Sequence, residues 1–165
     1  MKNFTKSETK VIGIIFLILF LVSAFNMSIS LRKGRDATRK NDLSTLQKAI
    51  DTYYQKYRIL PVATDDGEII GCFAELPIID YSTGLPLNST ICEWGVSAFE
   101  TILVMPKDPL FNEGYSYRYI SVGNSYEIYV SLEGKDEAEY SQSTALKNLQ
   151  CGSKVCNYGR DVKYE

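Results

Sequence analysis

Residues 11–31 carry no charged side chain, and their first fourteen read Val-Ile-Gly-Ile-Ile-Phe-Leu-Ile-Leu-Phe-Leu-Val-Ser-Ala. As an α-helix these 21 residues would extend about 31 Å, which matches the hydrocarbon thickness of a bilayer. A cleaved secretory signal would have a shorter apolar stretch and a small-residue cleavage site behind it. Here Arg32 and Lys33 follow the run at once. A buried helix of a soluble domain would show a polar stripe, and the first turns have none. The run therefore predicts a retained transmembrane helix over 11–31. It is preceded by a short polar N-terminus, 1–10, and continued by an extramembrane helix, 32–57, and a globular head, 58–165.

Charge is distributed unevenly around this span. Residues 1–40 hold eight Lys/Arg against two Asp/Glu, whereas residues 41–165 hold ten against eighteen. An acidic bulk repels phosphates, so no nucleic-acid partner is expected. There is no histidine, which removes the usual general base near neutral pH and the commonest metal ligand. At 45 % apolar and 23 % charged residues, the chain is neither disordered, collagen-like nor polytopic. Lys2, Lys6 and Lys10 precede the span, and Arg32, Lys33, Arg35, Arg39 and Lys40 follow it. The positive-inside tendency alone mildly favours a head inside the cell.

The cysteines argue for the opposite side. Cys72, Cys92, Cys151 and Cys156 all follow the span, and an even count in a small domain suggests two disulfides in an oxidising compartment. Three connectivities are open, of which Cys72–Cys92 with Cys151–Cys156 closes the two shortest loops. A zinc site is disfavoured, because no Cys-x-x-Cys spacing occurs and no histidine can complete it.

No proline occurs before Pro61, so one continuous helix can leave the membrane. Leu43, Leu46, Ile50, Tyr53 and Tyr57 recur at alternating steps of three and four, which is one apolar stripe on that helix. From 61 to 109 the pattern is irregular, with turns at Asp65-Asp66-Gly67 and at 82–86 and a short helix expected over 97–103. Trp94 is expected in the core or as a lid. Two strands follow, 114–121 and 125–133, joined by Gly123-Asn124 as a hairpin needs. Tyr126, Ile128, Val130 and Leu132 form an apolar face that the stripe at 42–57 can cover. The fold class is α+β: a long N-terminal helix packed on a small antiparallel sheet. The tail from 148 is expected as polar turns tied near the sheet edge by Cys151–Cys156.

The apolar helix runs into Arg35-Asp36-Ala37-Thr38-Arg39-Lys40, then a stripe ending in Tyr53-Tyr54, then Pro61, Met105-Pro106-Lys107-Asp108-Pro109 and a tyrosine-rich hairpin. This arrangement resembles type IV pilin-like proteins, close to the major pseudopilins of type II secretion. The resemblance is strong over 35–61 and 105–133 and weak over 62–104. It implies a hydrophobic helix stored in the membrane and an α+β head outside. It also implies cleavage of a leader after a glycine, before a Phe-Thr-x-x-Glu motif, with methylation of the new amine. Phe4 and Glu8 match the family's first and fifth mature residues, whereas Asn3 stands in place of the glycine, and Lys6, Ser7 and Lys10 stand where the family is apolar. A leader here would be residues 1–3. A carboxylate such as Glu8, drawn into a bilayer or filament core, needs a cation, since unpaired burial costs several kcal/mol. In the family that cation is a neighbouring subunit's N-terminal amine. Here Lys10 or the headgroup layer is an equal alternative.

The expected function is a structural subunit of a type IV pilus or type II secretion-like pseudopilus, assembling through the N-terminal helix. Its partners would be the lipid bilayer, other pilin-like subunits and a secretion or pilus assembly platform. The alternative is a membrane-anchored minor pilin-like adhesin or binding module that does not polymerise, which the polar Lys6, Ser7 and Lys10 favour. No Gly-x-Ser-x-Gly, phosphate loop or nucleophile–base pair is present, so no enzymatic activity is expected. Glu133, Asp136, Glu137 and Glu139 form an acidic loop after the last strand. By the same resemblance that loop is a candidate calcium site, against the plainer reading of a solvated acidic face. The basic stretch 32–40 is expected to meet lipid headgroups.

Overall fold

The computed structural model describes residues 6–73, 75, 77–80, 82, 83 and 86–165. The chain divides into two compact units, Met1–Arg35 and Asp36–Glu165. A single helix, α1 (Lys6–Tyr57), contributes to both. Nothing in its sequence breaks it. Gly34 costs about 1 kcal/mol relative to alanine, which a helix of 52 residues tolerates. The helix ends where Arg58 takes a left-handed conformation (φ 59°) and donates its N–H to the Tyr54 carbonyl at 2.8 Å. Pro61, three residues on, cannot continue it.

In the first unit the helix stands uncovered. Phe16, Phe20 and Phe25 are 68 %, 71 % and 67 % exposed, and Ile14, Leu17, Leu19 and Leu21 are exposed beside them.

In the second unit, residues 36–57 of α1 pack into an α+β head. The stripe Leu43, Leu46, Ile50, Tyr53 and Tyr57 is buried throughout. Each fully buried leucine or isoleucine contributes about 1.5–3 kcal/mol. The principal sheet has the order β4 (Arg118–Val122), β5 (Ser125–Val130), β8 (Tyr158–Lys163), all antiparallel. Gly123 and Asn124 make the β4–β5 turn, with Val122 opposite Ser125. Tyr126, Ile128, Val130 and Leu132 lie on the buried face as the alternation predicts. Tyr129, on the other face, is also buried, over the Cys151–Cys156 disulfide. A second small sheet has the order β1 (Val62–Ala63), β2 (Ile69–Cys72), β3 (Thr90–Ile91). The Asp65-Asp66-Gly67 turn links its first two strands. Gly67 is required there: its φ is +86°, and a Cβ would stand 2.4 Å from Arg118 Cγ.

Four expectations are corrected. Residues 97–103 are not helical: Phe99 and Ile102 exchange backbone hydrogen bonds of 2.9 and 2.8 Å across a tight turn. Both side chains are buried, and Glu100 between them has φ 46°. The first long strand begins at Arg118 rather than at 114. Before it, Phe111–Glu113 form a 3₁₀ turn and Tyr115 bridges Gly152. The tail from 148 is not merely turns: after α2 (Gln142–Leu146), the short pair β6 (Gln150–Cys151) and β7 (Lys154–Val155) precedes β8, the third strand of the principal sheet. The irregular region 61–109, where only turns and one short helix are expected, carries the second sheet.

Both favoured disulfides form: Cys72–Cys92, which ties β2 to the chain just past β3, and Cys151–Cys156, which closes the β6–β7 hairpin. Trp94 is a core residue, 9 % exposed, with its ring centroid 5.4 Å from that of Tyr117.

Candidate functional site

The residues expected to govern processing fall at the start of the chain. Asn3 and Phe4 lie outside the described residues. Glu8 lies in the first turn of α1 and is exposed, where a carboxylate also suits the positive end of the helix dipole. The helix passes the length and hydropathy requirements for crossing a membrane, with a mean hydropathy of 2.5 over its most apolar window. That is compatible with single-pass anchoring.

The second feature is a buried ionic cluster in the first turns of the head. The stripe that reads 43, 46, 50, 53, 57 continues backwards at the same alternating steps to Arg39 and Asp36. Those positions face the interior, and both residues are fully buried. Arg39 forms a two-pronged pair with Asp108, Nε to Oδ2 at 2.7 Å and Nη2 to Oδ1 at 3.0 Å. Its Nη1 donates to Asp36 Oδ1 and to Glu133 Oε1, each at 2.7 Å. The guanidinium also lies 4.5 Å from the centre of the Tyr115 ring. The planar fork of arginine suits such multiple pairing, where a lysine would supply one point charge.

One cation thus faces three carboxylates, and backbone donors help to balance them. Asp36 accepts the N–H groups of Glu133 and Gly134, both at 2.9 Å. Asp108 accepts that of Leu110 at 2.8 Å. Burial pulls the Arg39 pKa down, but its bonds to Asp108, Glu133 and Asp36 outweigh that, and the net shift is upward. The guanidinium is charged at every accessible pH. The cluster fastens the first head turn of α1 to two distant segments, the Pro106–Pro109 loop and the chain leaving β5.

The next residue repeats the arrangement nearer the surface. Lys40 Nζ contacts Glu137 Oε2 and Glu139 Oε2, each at 3.0 Å. These bonds raise the Lys40 pKa, and the Lys40 bond lowers that of Glu139.

Two expectations change as a result. Arg39 and Lys40, placed with the headgroup-contacting stretch 32–40, are turned to acidic groups of the head instead. The acidic loop expected as a calcium site has Glu133 held by Arg39, and Glu137 and Glu139 held by Lys40. Among the described residues no group of three or more His, Cys, Asp or Glu is arranged to hold a metal ion. Asp136, the remaining member, has no place in such a group. Calcium would have to compete with two cations that already bind these oxygens.

Two further carboxylates on α1 receive tyrosines from the sheet and from the residues flanking it. Tyr117 donates to Asp42 Oδ2, and Tyr126 donates to Asp51 Oδ1 at 2.7 Å. Tyr164 also donates to Asp51 and stacks on Tyr54 with ring centroids 3.8 Å apart. Arg160 reaches Gln47 Oε1 at 3.0 Å. Asp36 and Asp108 were not singled out from the sequence. The signal for Asp36 was present in the stripe. Asp108 lies in the Met105–Pro109 motif, but nothing local marks it as the partner of Arg39.

No family model, curated protein or solved structure matches this chain.

Proposed function

We propose that this chain is a membrane-anchored structural subunit of a filament of the type IV pilus or type II secretion pseudopilus kind. The observation that carries the reading is α1 itself. One unbroken helix of 52 residues is exposed and apolar along residues 11–31, and fixed into a disulfide-bonded α+β head along residues 36–57. An apolar helix with its side chains exposed needs lipid or other helices around it. Helices of identical subunits supply a second environment of the same polarity, so exchange between membrane and filament costs little. The two cystines favour a head on the oxidising side of the membrane. The ionic cluster then serves to fix residues 36–40 of α1 to the rest of the head. Partners in this reading are the bilayer, like subunits and an assembly platform.

The test is recovery and mass. Filaments sheared from intact cells are expected to contain the chain beside copies of itself after cross-linking. Its N-terminal mass is expected to show whether residues 1–3 are removed before Phe4 and whether the new amine is methylated. Recovery only as a membrane monomer, from cells that make filaments, overturns the reading.

A further inference from the structure

The apolar span 11–31 contains a single carboxamide, Asn26. It lies five residues before the end of the span, about 7.5 Å of helix rise inside it. With one methylene it cannot reach the headgroups as a lysine or arginine would. Its side chain is exposed and makes no hydrogen bond among the described residues. Ser28 behaves differently: its hydroxyl donates to the Phe25 carbonyl of its own helix at 2.8 Å. Hydrocarbon offers no water to satisfy an amide, so a carboxamide at this depth that is unbonded within its own helix needs another polypeptide.

At 3.6 residues per turn, Leu19, Ser23, Asn26 and Ser30 share one face, while Leu21, Ala24 and Ser28 lie opposite. We propose that Asn26 pairs two copies of this helix side by side within the bilayer, amide to amide, as a lateral contact made before polymerisation. The occupant is a second copy because a carboxamide is both donor and acceptor, so an identical side chain satisfies both ends at once. Ser23 and Ser30 flank it with small side chains, which lets two backbones approach closely enough for so short a group to reach. The contact rests on the membrane-anchored reading above and deepens it by naming the first partner and the residue that selects it.

All four native cysteines are in disulfides, so one introduced thiol is the only free one. The full chain, reconstituted in phosphatidylethanolamine–phosphatidylglycerol vesicles and mildly oxidised, is expected to cross-link as a dimer from Ser23→Cys and Ser30→Cys. It is expected to remain monomeric from Leu21→Cys and Ala24→Cys. Adding Asn26→Leu to Ser30→Cys is expected to cut dimer yield about threefold to tenfold, and Asn26→Gln, which keeps the amide, to preserve it. Equal yields from both faces, or an undiminished yield with Asn26→Leu, overturn the contact. Alkaline extraction separates the two failures. A chain that stays in the vesicles without face-specific cross-links sinks only the Asn26 contact. A chain that is extracted sinks the anchored reading with it.

Discussion

The two halves of α1 obey the same backbone geometry and opposite solvent rules. In residues 11–31 most side chains are apolar and exposed, and no apolar stripe is distinguished. In residues 36–57 the helix is amphipathic, and its buried stripe begins with two charged residues, Asp36 and Arg39, before turning apolar at Leu43. Burial therefore does not follow hydropathy along this helix. The most apolar side chains are exposed, while the least apolar pair is fully buried. A charge can be enclosed because its partners come from the head: Asp108 and Glu133 converge on Arg39 from segments 69 and 94 residues away. The apolar half lacks such partners and calls for an external environment.

Arg39→Ala should test this contrast most severely. Removing the cation leaves Asp36, Asp108 and Glu133 close together and largely out of water. Loss of one partner of a buried ionic cluster costs about 3–5 kcal/mol. Thermal unfolding of the full chain in detergent, followed by near-ultraviolet circular dichroism of the head's aromatics, should show a large fall in Tm. Leu17→Ala, in the exposed half, should leave the same transition within about 0.5 kcal/mol of the parent. Equal effects from both substitutions would abolish the distinction between the halves.

The disulfides sharpen it within the head. Cys72 and Cys92 are 20 residues apart, and Cys151 and Cys156 are five apart. On the loop-entropy account the first should contribute about 3 kcal/mol and the second about 2. Replacing each pair with alanines and measuring urea unfolding should give that order. A larger loss from the 151–156 pair would mean that its packing under Tyr129 outweighs its short loop.

Much of the head was legible because its signals are local. The stripe from Leu43 to Tyr57 needs only helical spacing, and the β4–β5 turn needs only Gly123-Asn124 between two alternating segments. Asp36 and Arg39 continue the stripe at the same steps, but reading them as buried requires knowing what arrives opposite, and Asp108 is far along the chain. The strand β8 was missed for a related reason. Tyr158-Gly159-Arg160-Asp161-Val162-Lys163 has little apolar content, and it is a strand because its backbone pairs with β5. Of its inward residues, Tyr158 and Val162 pack against the core, while Arg160 reaches Gln47 of α1. The expected helix over 97–103 failed because Phe99 and Ile102 both bury from one turn, which helical spacing would also have allowed.

Gly159 gives a smaller test of that unread strand. A Cβ there would stand 2.3 Å from the Tyr129 ring and 2.9 Å from the Ile128 carbonyl oxygen. Gly159→Ala should cost about 1–3 kcal/mol through overpacking, read from the urea midpoint. An unchanged midpoint would mean that β8 shifts freely on β5 and contributes little to the sheet.

The smallest effect is expected at Asp42, which lies on the buried half of the helix without a cation. Burial raises its carboxyl pKa, the Tyr117 hydrogen bond opposes that rise, and the charge of Asp108 adds to it. The folded state therefore holds this proton more tightly than the unfolded state, so protonation favours folding. The group's contribution to stability improves as pH falls through the raised carboxyl range and is least favourable above it. Asp42→Asn keeps an oxygen to accept from Tyr117 and removes the charge. The variant should be slightly more stable than the parent at pH 7, with the difference shrinking as pH is lowered towards about 4, where an ordinary aspartate is itself half protonated. Urea midpoints at the two pH values measure it. A variant less stable at pH 7 would show that the charged bond to Tyr117 outweighs burial. The buried half of the helix would then tolerate a lone carboxylate as readily as the paired charges at Arg39.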